Sequence, residues 1–267
     1  MNRNAKKMIE HNRLLTIYCV IVLLFLVLPI LIIVPMSFGG ANHLEFPPTS
    51  FSFRWYEAIP EGGWSKGLIN SLKIGAGTVI LSVGLGTLAA IGIRNPHMKY
   101  GGIINIICLL PMMLPVVIVA VGMYLVYGSW KITGTMPAII LAHTCIAIPM
   151  VITMMVSALS NVDMRLYDAA RSLGASHMTA NIKVILPLVR PALFTSMLFA
   201  FVTSFDESVI SLFITDRRTI TLPRMIFNSL RFEISPAISA ISTILIAATI
   251  FIFGMNAVIR KEDPSKK

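Results

Sequence analysis

Charge is scarce in this chain. Of its 267 residues, 13% are Asp, Glu, Lys or Arg, against about 25% in ordinary soluble domains. So few charges exclude a water-facing globule of this size. Cysteine is nearly absent. Cys19, Cys108 and Cys145 are far apart, each within an apolar run. That spacing excludes a zinc cluster and offers no evident disulfide pair, so small buried hydrophobes are expected. Two motifs are missing altogether. Without G-x-x-x-x-G-K-[ST] the chain has no phosphate-cradling loop for ATP, and without H-E-x-x-H on a helix it is no zinc hydrolase. No His or Cys pair has metal-ligand spacing, so neither a metal nor another cofactor is expected. Met112–Met113 and Met154–Met155 read as packing residues. The formal charge of +10 is not a nucleic-acid signature, since no basic run is interleaved with a stacking platform.

Apolar length is abundant. Hydrophobic residues make up 56% of the chain, and the mean hydropathy is +0.81. About 20 consecutive apolar residues cross a bilayer. Six segments reach that length: Leu14–Phe38, Leu68–Ile93, Ile103–Tyr127, Met136–Ser157, Pro191–Ile214 and Ala237–Ile259. The expected fold is therefore an all-α membrane protein of six transmembrane helices. Residues 14–259 form the transmembrane domain, flanked by a terminus at 1–13 and a tail at 260–267. The first run is too long for a signal peptide. Pro29, Pro111, Pro115 and Pro149 are expected to kink their helices. Between the first two spans, Gly39–Gly67 is rich in aromatic and turn residues and suggests a short amphipathic element on the membrane surface.

Orientation follows from Lys and Arg. With the N-terminus inside, fourteen fall on inner segments and seven on outer ones, while Lys73 lies within the second span. That bias puts both termini in the cytoplasm. The outer segment between spans five and six is an exception, holding Arg217, Arg218, Arg224 and Arg231. It reads either as a solvated loop or as a docking surface for a partner.

The same orientation places a polar interruption, residues 158–190, in the cytoplasm between spans four and five. Met164, Tyr167, Ala170 and Gly174 recur at helical spacing, which predicts an amphipathic helix lying near the membrane. Ala169, Ala170 and Gly174 strip side-chain bulk from one region, so that another backbone can approach. Gly174 also suits a helix C-terminus. A second short helix is expected over His177–Val184, with Pro187 and Pro191 setting the entry into span five.

Asp168-Ala169-Ala170, three residues, Gly174, nine residues, then Val184-Ile185-Leu186-Pro187 resembles the "EAA" loop of bacterial ABC import permeases of type I. Asp168 stands for the usual Glu and Val184 for the usual Ile. The resemblance implies a bacterial inner-membrane permease whose loop, a coupling helix, seats in a cytosolic ABC ATPase through Asp168, Ala169, Ala170, Gly174, Leu186 and Pro187. It further implies a second, homologous permease, two ATPase copies, an extracytoplasmic solute-binding protein and the lipid bilayer as partners. The chain itself would be no enzyme and bind no nucleic acid. Phe46-Pro47-Pro48, Arg54-Trp55-Tyr56, the Pro111/Pro115 pair, Ser204-Phe205-Asp206-Glu207 and Thr221-Leu222-Pro223 are similar to the spermidine/putrescine subgroup, its C-type permease. Related subgroups carry opines, other organic solutes or ferric iron.

Asp206 and Glu207 fall in the outer half of span five, about 22 Å along it at 1.5 Å per residue. Acids in a membrane tend to face a cavity or a partner. With Ser204 they are candidates for a cation's pathway, and a Lys73–carboxylate pair is the structural alternative. His143 lies at similar depth and reads as a helix-packing histidine. A self-contained channel or secondary transporter would need gating charges or inverted repeats, and neither is evident.

Overall fold

A computed structural model describes residues 3–60, 62–94, 98–232 and 235–261, with side chains undescribed at 3–12, 14 and 252–261. The outermost residues of both expected termini, 1–2 and 262–267, therefore lie outside the described residues. The described chain is helical, with one isolated antiparallel bridge between Gly39 and Phe51. In chain order the helices are α1 (Arg3–Met36), α2 (Arg54–Glu57), α3 (Trp64–Ile93), α4 (Gly101–Met113), α5 (Val116–Ser129), α6 (Met136–Ser160), α7 (Arg165–Ser172), α8 (His177–Ala180), α9 (Leu186–Leu188), α10 (Arg190–Phe205), α11 (Val209–Ile214), α12 (Leu222–Phe232) and α13 (Ala237–Lys261). A π-helical turn, Asn181–Ile185, joins α8 to α9.

Among the described residues, three helices are long and apolar enough to cross a membrane: Leu15–Met36 of α1, α3 and α6. The count rises to five if two sharply bent helix pairs each form one span, and the part of α13 with described side chains, Ala237–Phe251, is apolar. Two expected spans are therefore not single helices. The third bends by 98° between α4 and α5. Its cause is Pro115: the residue before a proline is driven out of the helical region, and Leu114 is extended at ψ 143°. Pro29, Pro111 and Pro149 sit inside helices that continue through them. The fifth expected span stops at Phe205 and resumes at Val209.

The chain forms two compact units. One comprises Met1–Gly63 and Asn228–Lys267, the other Trp64–Phe227. In the first, α1 packs on α13 and otherwise presents apolar side chains all round, with Phe25 75% exposed. Cys19 lies on that open surface rather than in a core. Where a short amphipathic element is expected, the helix is α2, a single turn over Arg54–Glu57. Phe38, Phe53 and Tyr56 cluster with ring centroids 5.4–6.1 Å apart, and Tyr56 Oη lies 2.7 Å from Ser37 Oγ.

The second unit is built on α3, α6 and α10, which pack on one another. Close approach needs small residues where no solvent drives helices together. A Cβ on Gly86 would sit 2.7 Å from Val151, and one on Gly75 2.9 Å from the Phe201 ring. Two apolar clusters result. One gathers Val83, Val151, Met155, Ile185 and Ala200, the other Ile74, Ala120, Ile139, Ala142, Ile210 and Ile214.

The segment from Thr215 to Thr221 is organised, not merely solvated. Asp216 Oδ1 accepts from the N–H groups of Arg218 and Thr219 and from the Thr219 hydroxyl, at 2.8–2.9 Å. Slight burial raises the Asp216 carboxyl, but these bonds outweigh it and hold the group below its usual value. The contribution of this turn is thus complete above the ordinary Asp value and lost only as pH falls through the lowered one. Asn70 of α3 donates to the carbonyls of Arg218 and Ile220 at 3.0 and 2.9 Å, and Ser71 Oγ accepts from Leu222 N–H at 2.9 Å. Arg224 is spent inside the fold: its guanidinium bonds Thr215 O and Oγ1 and reaches Ser211 O at 3.4 Å. A cation there answers the last carbonyls of α11. Arg217 and Arg218 are left exposed. Replacing Asn70 with Ala orphans two carbonyls and is expected to cost about 1–3 kcal/mol. Faster amide exchange at 216–222 in the purified complex would report it, and unchanged protection would refute it.

Candidate functional site: a surface lever and a broken helix

The lever is α7 with α8. Asp163 Oδ1 accepts from Arg165 N–H at 2.9 Å and opens α7. Val162 and Tyr167 pack against the apolar cluster that contains Leu159 and Ile185. Met164 and Ala170 share Tyr167's half-buried side, while Leu166, Asp168, Ala169 and Ser172 point outward. Tyr167 Oη lies 2.6 Å from His177 Nδ1, tying α7 to α8. Ser176 caps α8 by accepting from Thr179 N–H at 3.1 Å.

Gly174 ends α7 in the left-handed region, at φ 87°. Ala175 N–H donates to Ala170 O at 3.1 Å and Gly174 N–H to Arg171 O at 3.0 Å, the paired bonds of a Schellman motif. Arg171 Nη1 then donates to Ala175 O at 2.5 Å. A Cβ on Gly174 would meet nothing within 4 Å. Among the described residues no backbone crowds that position, so its internal requirement is conformational. Of the apolar side chains of the lever, Leu173, next to Gly174, is 90% exposed and Met178 72%. Under the lever lies a pocket of about 320 Å³, lined by Arg94, Tyr167, Asp168, Arg171, His177 and Asn181 among others.

Leu186 and Pro187 form the half-buried link, α9, that carries the lever into α10. The path bends by 80° there. Val189 at the corner is buried, so the corner is anchored in the core.

At the far end of α10 the helix breaks over residues 206–208. A break within a bilayer frees backbone groups that then need partners. Glu207 supplies one: its Oε1 accepts from Ile210 N–H at 2.8 Å, at the start of α11. Ser211 Oγ donates to Glu207 O at 2.9 Å. Asp206 is exposed, and its carboxylate makes no hydrogen bond or ion pair among the described residues. Among the described residues Lys73 makes no ion pair with either acid. Ser204 is buried and lies 2.9 Å from His143 Nδ1 and 3.3 Å from Thr78 Oγ1. The two acids therefore differ. Glu207 is partly committed to the fold, Asp206 is free, and Ser204 faces a helix contact. The break itself escaped sequence reasoning. Its signal was the run Ser204-Phe205-Asp206-Glu207-Ser208, where polar residues that compete for backbone groups precede an apolar turn.

Residues 82–262 match the model of the family described as binding-protein-dependent transport system inner membrane component. The chain belongs to this family. The permease is 28% identical over 244 residues to the spermidine/putrescine transport system permease protein PotC of Haemophilus influenzae, covering 91% of this chain and 95% of that one. It is 29% identical to the putrescine transport system permease protein PotI of Escherichia coli, over 84% and 82% of the two chains. It is also 27% identical to the trehalose transport system permease protein SugB of Mycobacterium tuberculosis, over 86% of each. Its fold is that of a subunit of a bacterial alginate ABC transporter, solved in complex with an alginate pentasaccharide-bound periplasmic protein. There the TM-score is 0.74 at 13% identity, covering 99% of this chain and 98% of the other. The permease is thus an inner-membrane, multi-pass subunit of an ABC importer, and ATP hydrolysis belongs to separate ATPase subunits.

Proposed function

We propose that this permease forms half of the pathway of a polyamine importer. It would work beside a second permease, two cytosolic ATPase subunits and an extracytoplasmic solute-binding protein. Supporting this are its full-length similarity to PotC and PotI and one local observation that carries the cationic substrate: the unpaired Asp206 carboxylate in the helix break. A carboxylate without a protein partner suits a protonated amine, which supplies both countercharge and hydrogen-bond donors. Glu207 adds a second carboxyl group beside it. Ser204, named with them from the sequence, serves the pathway through packing.

In this reading the chain crosses the membrane six times with both termini in the cytoplasm. The bent α4–α5 pair, the α10–α11 pair and α13 complete the three uninterrupted spans. Residues 158–190 are the coupling loop. Asp168, Ala169, Ala170 and Gly174 meet the ATPase, and Leu186 and Pro187 pass its movement into α10. The exposed Leu173 and Met178 beside Gly174 are surfaces a partner would cover.

Uptake of labelled spermidine and putrescine into membrane vesicles holding the whole transporter tests the proposal. Uptake is expected to need ATP and the partner ATPase, and to be competed by excess diamine but not by trehalose. Saccharide uptake without polyamine uptake would overturn the substrate. Uptake that survives deletion of the ATPase would favour a self-contained channel instead.

A further inference from the structure

The helix break between α10 and α11 is clasped from outside by one side chain. His143 of α6 is fully buried. Its Nδ1 lies 2.9 Å from Ser204 Oγ, before the break, and its Nε2 lies 3.4 Å from Ser211 Oγ, after it. The protons can be assigned from the neighbours. Ser211 has one hydroxyl proton, committed to Glu207 O. Nε2 therefore carries the ring proton and donates to Ser211, which leaves Nδ1 to accept from Ser204. The single Ser204 proton is shared between Nδ1 at 2.9 Å and Thr78 Oγ1 at 3.3 Å.

The location matters. Thr78, His143, Ser204 and Ser211 are all buried polar residues, and in sequence each falls among residues of the two apolar clusters. In such surroundings an unmade hydrogen bond is costly and a made one is directional. From α6, the bonds run through His143 and Ser211 to the backbone carbonyl of Glu207, and through His143 to α10. Both ends of the interruption are thereby referred to a third helix that is itself unbroken. Asp206 lies between the two clasped points and its carboxylate has no bond among the described residues, so its direction is set by the backbone on either side, where its N–H donates to Val202 O at 3.0 Å.

We infer that His143 is a positioning residue: by bridging Ser204 and Ser211 it holds the break in the shape that presents Asp206 to the translocation pathway. The inference rests on the proposed role of Asp206, and its test separates the two. His143→Phe keeps a flat ring and removes both bonds. His143→Gln offers one donor and one acceptor separated by a single carbon, as the neutral ring does.

In the purified transporter, His143→Phe is expected to speed amide exchange over Val209–Leu212 by about tenfold or more, because their bonds open locally. In vesicles it is expected to cut polyamine uptake by about tenfold at an unchanged amount of protein in the membrane, with His143→Gln recovering most of both. Combined with Asp206→Asn it should cause little further loss, since residues acting through one another are not additive. Unchanged exchange in His143→Phe overturns the clasp. Losses that multiply in the double variant overturn its action through Asp206. Full uptake by Asp206→Asn alone would instead overturn the pathway role of Asp206, and the exchange result would still decide the clasp.

Discussion

Asp206→Asn is expected to lower polyamine uptake by about 10- to 100-fold while leaving the amount of permease in the membrane unchanged. The magnitude follows from the bond removed: a hydrogen bond to a charged group contributes about 1.5–3 kcal/mol, and 1.4 kcal/mol is about tenfold. The fold should tolerate the change, because the Asp206 carboxylate has no partner among the described residues. Glu207 is the built-in comparison. Glu207→Gln keeps an oxygen for Ile210 N–H and removes only the charge, so a smaller loss is expected. Glu207→Ala also deletes the cap, at about 0.5–2 kcal/mol, and should show as instability of α11 before it shows as selectivity. Vesicle uptake beside immunoblots of the same membranes separates these outcomes. Full transport by both Asp206→Asn and Glu207→Gln would end the case for an acidic pathway.

Gly174→Trp is expected to leave the permease inserted but to reduce ATP-driven uptake by about 5- to 30-fold or more. Two effects combine. A left-handed conformation costs an L-residue about 1–2 kcal/mol, equivalent to a 5- to 30-fold bias against the native turn. The added side chain also projects into space that this chain leaves open, where an ATPase would have to seat. Gly174→Asn tells the two apart, because Asn tolerates the left-handed region. If Asn transports normally, conformation is the requirement. If Asn fails like Trp, room for the partner is. Loss of membrane insertion, or unchanged uptake by Gly174→Trp, would remove the coupling role. Coupled ATP hydrolysis should be measured in parallel, since an uncoupled transporter keeps hydrolysing while uptake falls.

The lever was legible because its elements are local. Asp163 opening α7, Ser176 capping α8 and Gly174 closing the first helix are interactions over a few residues, and their residue types announce them. The face was harder. Gly174 fits the spacing of Met164, Tyr167 and Ala170, yet it lies past the helix end and belongs to the open side. Helical periodicity stops informing once the backbone turns left-handed. The bend at Pro115 was legible in kind but not in degree: a missing N–H predicts an interruption, while 98° depends on what the two halves pack against.

The site near Asp206 divides in the same way. Acids in an apolar run marked the place from sequence alone. Which acid is free did not follow, since helical geometry merely separated them by about 100° and no helix exists at those positions. Lys73, equally deep by residue count, was an equally good partner on paper. Arg224 looked like one of four outer-loop charges, and only the fold shows it turned inward onto the carbonyls of α11.

Composition, run length and local capping chemistry by themselves determined a membrane-embedded all-α chain, its family motif and the turn at Gly174, because these depend on solvent transfer and on neighbours a few residues away. The tertiary structure alone decided that Glu207 caps, that Asp206 stays free and that His143 spans the break. The Glu207 cap is local but exists only because the helix breaks there; the His143 bridge joins side chains more than sixty residues apart, and a directional bond between distant residues leaves no periodic trace in the chain.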